Sequence, residues 1–249
     1  MTGESIYMTP IQDKFAAQLQ QLPLTLTPAQ YDQLQLYYQN LVTWNEVMNL
    51  TAITEEQDVY EKHFLDCLSI VKAGLPDPER PEKWADIGTG AGFPGLPIAI
   101  AFPSQQVTLI DSLQKRVTFL QDTIGKLHLT NVQVFHGRAE DLARQPQHRE
   151  QYDHVCSRAV ANMATLAEYT LPFVRVGGSL IAYKSEQLSE ELPKARNAIS
   201  RLGGSDPEVI SFLLPETSYA RNLVVVRKTE KTPKKYPRKA GTPSKEPLT

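Results

Sequence analysis

Apolar residues recur at helical intervals in the first part of the chain. Further on they gather into short runs separated by more polar helical stretches. Ile11, Phe15, Leu19 and Leu22 share one side of a helix predicted over residues 10–22. Tyr31, Leu34, Tyr38, Leu41, Val42 and Met48 form the stripe of a second helix, which Thr27 can cap. Pro28 suits its first position and Gln30 can close a capping box. A third helix is predicted after Thr54, with Gln57 as box partner and a stripe of Tyr60, Phe64, Cys67, Leu68 and Val71. His63 and Asp66, three apart, can share a side of it. Trp44, Asn45, Asn49 and Thr51 read as a core tryptophan followed by helix-terminating polar residues.

Pro76, Pro78 and Pro81 make a stiff, helix-breaking linker, so residues 1–75 are predicted to be a helical cap and 76–228 a sheet domain. Apolar strands are predicted at 84–87, 107–110, 132–135, 154–156 and 180–183, alternating with helices at 112–128, from Asn162, and at 189–202. Two last strands, 209–214 and 223–226, have only a short proline-containing turn between them. A tight connection cannot join parallel neighbours, so this pair must be an antiparallel hairpin. The predicted fold is α/β: a doubly wound, mostly parallel, seven-stranded Rossmann-like sheet with an N-terminal helical cap.

The first strand runs into KWADIGTGAGFPGLPIAIA, residues 83–101. Glycine is needed there because a chain reversing between strand and helix requires positive φ, and a missing Cβ lets backbone N–H groups approach a ligand. Pro94 and Pro97 fit the first turn of the following helix, where N–H groups have no acceptor to lose. Two registers coexist. Gly90, Gly92 and Gly95 satisfy the dinucleotide spacing G-x-G-x-x-G, whereas Asp86, Gly88, Gly90 and Gly92 satisfy the D-x-G-x-G-x-G of S-adenosylmethionine-dependent methyltransferases. Asp111, closing the next strand, stands where an acid meets ribose hydroxyls in such sheets, which serves either ligand. The final hairpin separates them: a sheet closed by one reversed strand is the signature of class I S-adenosylmethionine enzymes, and nicotinamide-binding halves continue with another βαβ unit.

The chain has 249 residues and two cysteines, Cys67 and Cys156, without metal-ligand or disulfide-framework spacing. No run approaches the roughly 18 apolar residues of a membrane span, and residues 1–7 lack the regions of a signal peptide. A cytoplasmic protein without metal is expected. With no heptad or exposed apolar stripe, it is expected to be a monomer. Net charge is -2, but residues 227–249 carry +6 and the remainder -8. Residues 229–249 therefore read as a basic tail on an acidic body.

Eight separated blocks carry a resemblance. They are WNEVMNLTAI (44–53), HFLDCLSI (63–70), DIGTGAGFPGLPIAI (86–100), DSLQKRVTFL (111–120), GRAEDL (137–142), SRAVAN (157–162), RNLVVVRK (221–228) and YPRKAGTPSKEPL (236–248). Together they resemble the bacterial small-subunit ribosomal RNA methyltransferase G family, also called glucose-inhibited division protein B. The resemblance implies methyl transfer from S-adenosyl-L-methionine to N7 of a guanine in the decoding-region loop of 16S rRNA, free or in the small ribosomal subunit. It places cofactor contacts at Gly88, Phe93, Asp111, Ser112, Leu113, Ala139, Glu140 and Arg158. Departures are slight: Cys67 replaces a frequent serine, and Ser185 follows Lys184 where glycine is commoner.

Guanine N7 carries a lone pair and no proton, so its methylation needs no general base. The chain lacks the N-P-P-Y clamp of exocyclic-amine enzymes, and Cys156 lacks the Pro-Cys or Thr-Cys setting of a ring-carbon nucleophile. The work is alignment, which can supply roughly 7 to 11 kcal/mol. In this reading Gly88, Gly90 and Gly92 open the backbone to the donor's amino-acid end. Asp111 holds the ribose, Glu140 lies at the adenine and Phe93 forms an apolar wall. Asp86 and Glu140 favour a cation, and Arg158 holds the donor or orients guanine through O6. In A-form RNA the deep, narrow major groove hides N7, so the target must lie in a loop or be splayed out. Lys115, Arg116, Lys184, Arg221, Arg238 and Lys239 are candidates for phosphate contacts. Two readings stand beside this one: an NAD(P)-dependent oxidoreductase, and an RNA-binding assembly protein without turnover.

Overall fold

A computed structural model describes residues 8–184 and 188–249; residues 1–7 and Ser185 lie outside the described residues. Two amphipathic helices open the chain, α1 (Pro10–Gln20) and α2 (Pro28–Met48). Both begin in full capping boxes, Thr9 with Gln12 and Thr27 with Gln30, because each side chain satisfies a backbone N–H that the first turn cannot. Asn49 ends α2 in the left-handed region at φ 38°. Trp44 is a packing residue as expected: it meets Phe119 edge-on and donates Nε1–H to Asp122 at 2.8 Å.

The third helical stretch differs from its prediction. Its cap is Glu55 and carries no side-chain bond, and Gln57 reaches forward to Glu61 instead of back to Thr54. One α turn, α3 (Glu56–Val59), widens into a π-helical segment over Tyr60–Leu65. The stretch then closes through α4 (Asp66–Leu68) and a 3-10 turn at Ser69–Ala73. Such widened turns recur at functional sites because they re-aim side chains by a fraction of a turn. This one carries His63.

Seven strands follow with helices between them. They run β1 (Lys83–Ile87), α5 (Gly95–Ala101), β2 (Gln106–Asp111), α6 (Gln114–Lys126), β3 (Val132–His136), α7 (Ala139–Leu142) and β4 (Tyr152–Arg158). The second half is α8 (Met163–Thr170), β5 (Val174–Lys184), α9 (Leu188–Arg201), β6 (Glu208–Leu213), β7 (Ala220–Arg227) and α10 (Thr242–Lys245). Strand order is β3-β2-β1-β4-β5-β7-β6, with β1 to β5 parallel and β7 antiparallel to both neighbours. The last two strands form the expected hairpin, and β7 inserts beside β5.

One apolar core joins the opening helices to one face of the sheet, from Phe15, Leu34, Tyr37 and Phe64 to Trp84, Leu96 and Leu109. A second fills the other face, around Val155, Leu166, Leu180 and Val224, and takes in Tyr236 and Leu248 from the far end of the chain. Carboxyl ends of β1, β2 and β4 therefore open on one edge, where ligands gather in doubly wound sheets.

Candidate functional site

The turn after β1 is built on positive φ at Gly88 (71°), Gly90 (61°) and Gly92 (97°). Its three glycines serve different neighbours. A Cβ at Gly90 would meet nothing within 4 Å, and one at Gly88 would meet only Val160, at 2.7 Å. A Cβ at Gly92 would strike Leu96 and the Tyr37 hydroxyl, so glycine is required here by packing alone. Asp86 is also beneath the turn. It is fully buried, and its Oδ2 accepts from Thr89 Oγ1 at 2.7 Å and from the Gly95 N–H at 2.8 Å. Burial pushes its carboxyl up to about 7 against the pull of those hydrogen bonds. Its work is to pin the turn, and it does not line the cleft above.

That cleft, of about 110 Å³, brings together Gly88, Asp111, Ser112, Ala139 and Glu140, with Val160 and Tyr169 on its walls. Asp111 closes β2 with both oxygens aimed at backbone: Oδ2 accepts the Gly90 N–H and Oδ1 the Leu113 N–H, each at 2.9 Å. Arg116 adds a weaker contact to Oδ2 at 3.4 Å. A carboxylate has about four lone-pair sites, so Asp111 can still accept from a ligand. Leu113 takes part through its backbone, and its side chain is exposed. Glu140, buried on α7, accepts the Gly241 N–H at 2.9 Å.

A larger cleft of about 450 Å³ is lined by His63, Asp66, Arg158, Ala159, Lys184, Tyr219 and Arg221 among others. Arg158, at the end of β4, organises it. Its guanidinium pairs with Asp66 at 2.9 Å, donates to the Lys62 carbonyl at 3.1 Å and to His63 Nδ1 at 3.0 Å, and stands over the Phe93 ring at 5.0 Å. Asp66 gives its other oxygen to Arg221 Nε at 2.8 Å. His63 stacks on Phe93 with ring centres 4.5 Å apart. His63 Nδ1 lies 3.0 Å from the Arg158 guanidinium, which can only donate, and 3.1 Å from the Lys62 carbonyl, which can only accept, while Nε2 meets Thr51 Oγ1 at 2.9 Å. The shared side expected for His63 and Asp66 exists, and its purpose is to hold one guanidinium.

Burial, reinforced by Arg158, pushes His63 down to about 3, and burial pushes His154 down to about 4. Unfolded histidine titrates near 6.5, so these groups contribute stability that is complete above about pH 6.5 and lost as pH falls toward 4. Denaturant unfolding should show that fall, and His63→Gln should flatten it. Identical pH dependence in parent and variant would contradict the buried neutral imidazole.

The candidates for phosphate contact divide. Lys115 and Lys239 are exposed, and Arg116 is partly paired. Lys184 instead donates to the Ala161 carbonyl at 2.7 Å and pairs with Glu191 at 2.8 Å. Arg221 is committed to Asp66, and Arg238 to the fully buried Glu168. Tyr219, which sequence reasoning passed over, places its ring in the larger cleft, with Lys62 and Arg221 at 5.6 and 5.8 Å from its centre. Among the described residues no group of three or more His, Cys, Asp or Glu could hold a metal ion, and no helix is long and apolar enough to cross a membrane.

Comparison with known proteins bears on this geometry. Among solved structures, a predicted O-methyltransferase from Agrobacterium tumefaciens is 18% identical with a TM-score of 0.53, covering 68% of this chain and 81% of its own. That likeness is one of fold. Sequence relatives come closer. The Ribosomal RNA small subunit methyltransferase G of Alkaliphilus oremlandii is 49% identical over 229 residues, 92% of this chain and 95% of its own. The protein of that name from an Exiguobacterium species is 49% identical over 237 residues, 95% of this chain and 99% of its own. A family model described as rRNA small subunit methyltransferase G matches residues 30–224. On that match and those identities, the chain belongs to the rRNA small subunit methyltransferase G family.

Proposed function

We propose that this chain transfers a methyl group from S-adenosyl-L-methionine to N7 of a guanine in the decoding-region loop of 16S rRNA. The observation that carries the reading is that adjacent residues line two clefts, Val160 the smaller and Ala159 the larger. The smaller cleft carries carboxylates at Asp111 and Glu140, and the larger carries the guanidinium groups of Arg158 and Arg221. A ligand with a sugar and a base at one end and a reactive group at the other would pass over Gly90, where a Cβ would meet nothing within 4 Å, once the Val160 side chain beside Gly88 turns aside. Asp111 would accept from ribose hydroxyls and Glu140 would meet the adenine end. The backbone at Gly88 and Gly90, with Phe93 and Arg158 behind, would receive the amino-acid end. Bound there, the donor supplies an electrophilic methyl on a cationic sulfur.

On the acceptor side, Tyr219 offers a ring for stacking a splayed base, and Arg158 and Arg221 offer N–H donors to the O6 edge of guanine. His63 is a poor base, because burial beside the Arg158 guanidinium pushes it down to about 3 and leaves the ring little affinity for a proton. None is needed, since N7 has no proton to lose. The Gly90, Gly92, Gly95 dinucleotide register finds less support, because β7 returns antiparallel where a nicotinamide-binding half would add a parallel βαβ unit.

Incubation of labelled donor with free 16S rRNA and with small subunits, followed by mapping of the labelled nucleotide, tests the proposal. The label should sit on guanine N7, and log kcat should stay flat between about pH 6 and 8, with no limb reporting a base. Label on an exocyclic amine or a ribose oxygen would overturn it.

A further inference from the structure

The basic tail, expected as an arm for phosphates, folds back onto the body. Arg149 gathers the carbonyls of Thr232, Pro233 and Tyr236, and Arg144 takes that of Pro237. Tyr236 and Leu248 are buried in the core on that face of the sheet. The one arginine of residues 229–249 then turns inward. Arg238 makes a forked pair with Glu168, Nε at 3.0 and 3.1 Å and Nη2 at 2.7 Å, and its own N–H adds a bond at 2.7 Å. Glu168 has no exposure at all, so Arg238 is what lets a carboxylate remain inside the fold. Lys231, Lys234, Lys235, Lys239 and Lys245 stay on the outside.

What the tail reaches is the smaller cleft. Three residues past Arg238, the Gly241 N–H donates to Glu140 Oε1 at 2.9 Å, with Gly241 at φ 86°, a conformation that favours glycine. Pro243 accepts from Thr165 Oγ1 at 3.0 Å. Thr165 and Glu168 both belong to α8, whose Tyr169 walls the same cleft as Glu140. Two anchors, Glu168 and Thr165, thus bracket the one tail N–H that fixes the Glu140 carboxylate.

We infer that residues 236–246 form a strap that positions Glu140 for the adenine end of the donor, with Arg238 and Gly241 as positioning residues. The inference rests on the reading that this cleft takes the nucleoside. Among the described residues the one ion pair of Glu140, on its four-residue helix, is a long contact to Arg138 Nε at 3.9 Å, so its orientation comes chiefly from the strap. The tail therefore serves donor affinity, and its outward lysines are a face of the strap.

The test uses full-length protein. Arg238→Met with Glu168→Met removes the pair without leaving a buried charge unmatched, and Thr165→Val removes one hydrogen bond at the second anchor. Calorimetric titration with S-adenosyl-L-homocysteine should show affinity lower by about tenfold in the double variant and about threefold in Thr165→Val. KM for the donor should rise while kcat at saturating donor holds, a split that general loosening of the fold would not produce. The slope of log RNA affinity against log salt should not change. Parental nucleoside affinity in either folded variant overturns the strap, and so does a flattened salt slope. Should the double variant fail to fold, Thr165→Val decides alone. Parental protein that does not bind S-adenosyl-L-homocysteine, or an Asp111→Asn variant that binds it as tightly as the parent, would instead sink the reading of the cleft.

Discussion

Replacing Asp111 with alanine should weaken binding of S-adenosyl-L-methionine by at least about a hundredfold. Two effects add. Ribose hydroxyls lose a charged acceptor, worth about 1.5 to 3 kcal/mol for each bond. The turn also loses its clasp, because the Gly90 and Leu113 N–H groups both donate to this carboxylate at 2.9 Å. Each orphaned donor costs about 1 to 3 kcal/mol unless water replaces the oxygen. Calorimetric titration measures the binding, and thermal unfolding of the free protein separates the clasp from the ligand contribution. Affinity within threefold of the parent would remove Asp111 from the site.

Arg158→Leu should be the most damaging single change in the larger cleft. It leaves His63 Nδ1 and the Lys62 carbonyl without their donor, and it leaves the buried Asp66 with Arg221 alone. Removing one partner of a buried ion pair costs about 3 to 5 kcal/mol, so the melting temperature should drop by several degrees. Methyl transfer should fall by about a hundredfold or more even where the protein remains folded, as misplacement of a positioning group by about 1 Å does. Arg158→Lys should recover much of the stability and little of the rate, because an ammonium cannot fork between Asp66 and His63 while lying over Phe93. Parental turnover in a folded Arg158→Leu protein would exclude Arg158 from the chemistry.

Where the sequence reading held and where it failed follows one division. Thr27 and Gln30 cap α2 because capping joins residues three apart. The last two strands pair antiparallel because their connection is too short for anything else. The glycine turn and Asp111 meet where their spacing puts them, since a strand, its turn and the next strand lie side by side in the sheet. Which side of the turn Gly92 faces was not legible, because it is decided by Leu96 and by Tyr37, which lies far back in the chain on α2. The ion pairs of Arg221 and Arg238 were not legible for a similar reason: Asp66 lies 155 residues from Arg221, and Glu168 lies 70 from Arg238. Nothing in a basic segment tells which of its charges will be turned inward by a distant carboxylate.

By itself, then, the amino-acid order determined the elements, their alternation, the reversed final strand and the place of the glycine turn. Each of these rests on periodicity or on contacts within a few residues, where backbone geometry leaves few options. Tertiary structure alone decided that a π-helical segment aims His63 at Arg158, that Asp86 lies under the turn, and that the tail passes Glu140. Those outcomes depend on which charges and N–H groups meet once apolar faces are buried. Burial makes an unmatched group expensive, so partners far apart in the chain are selected together.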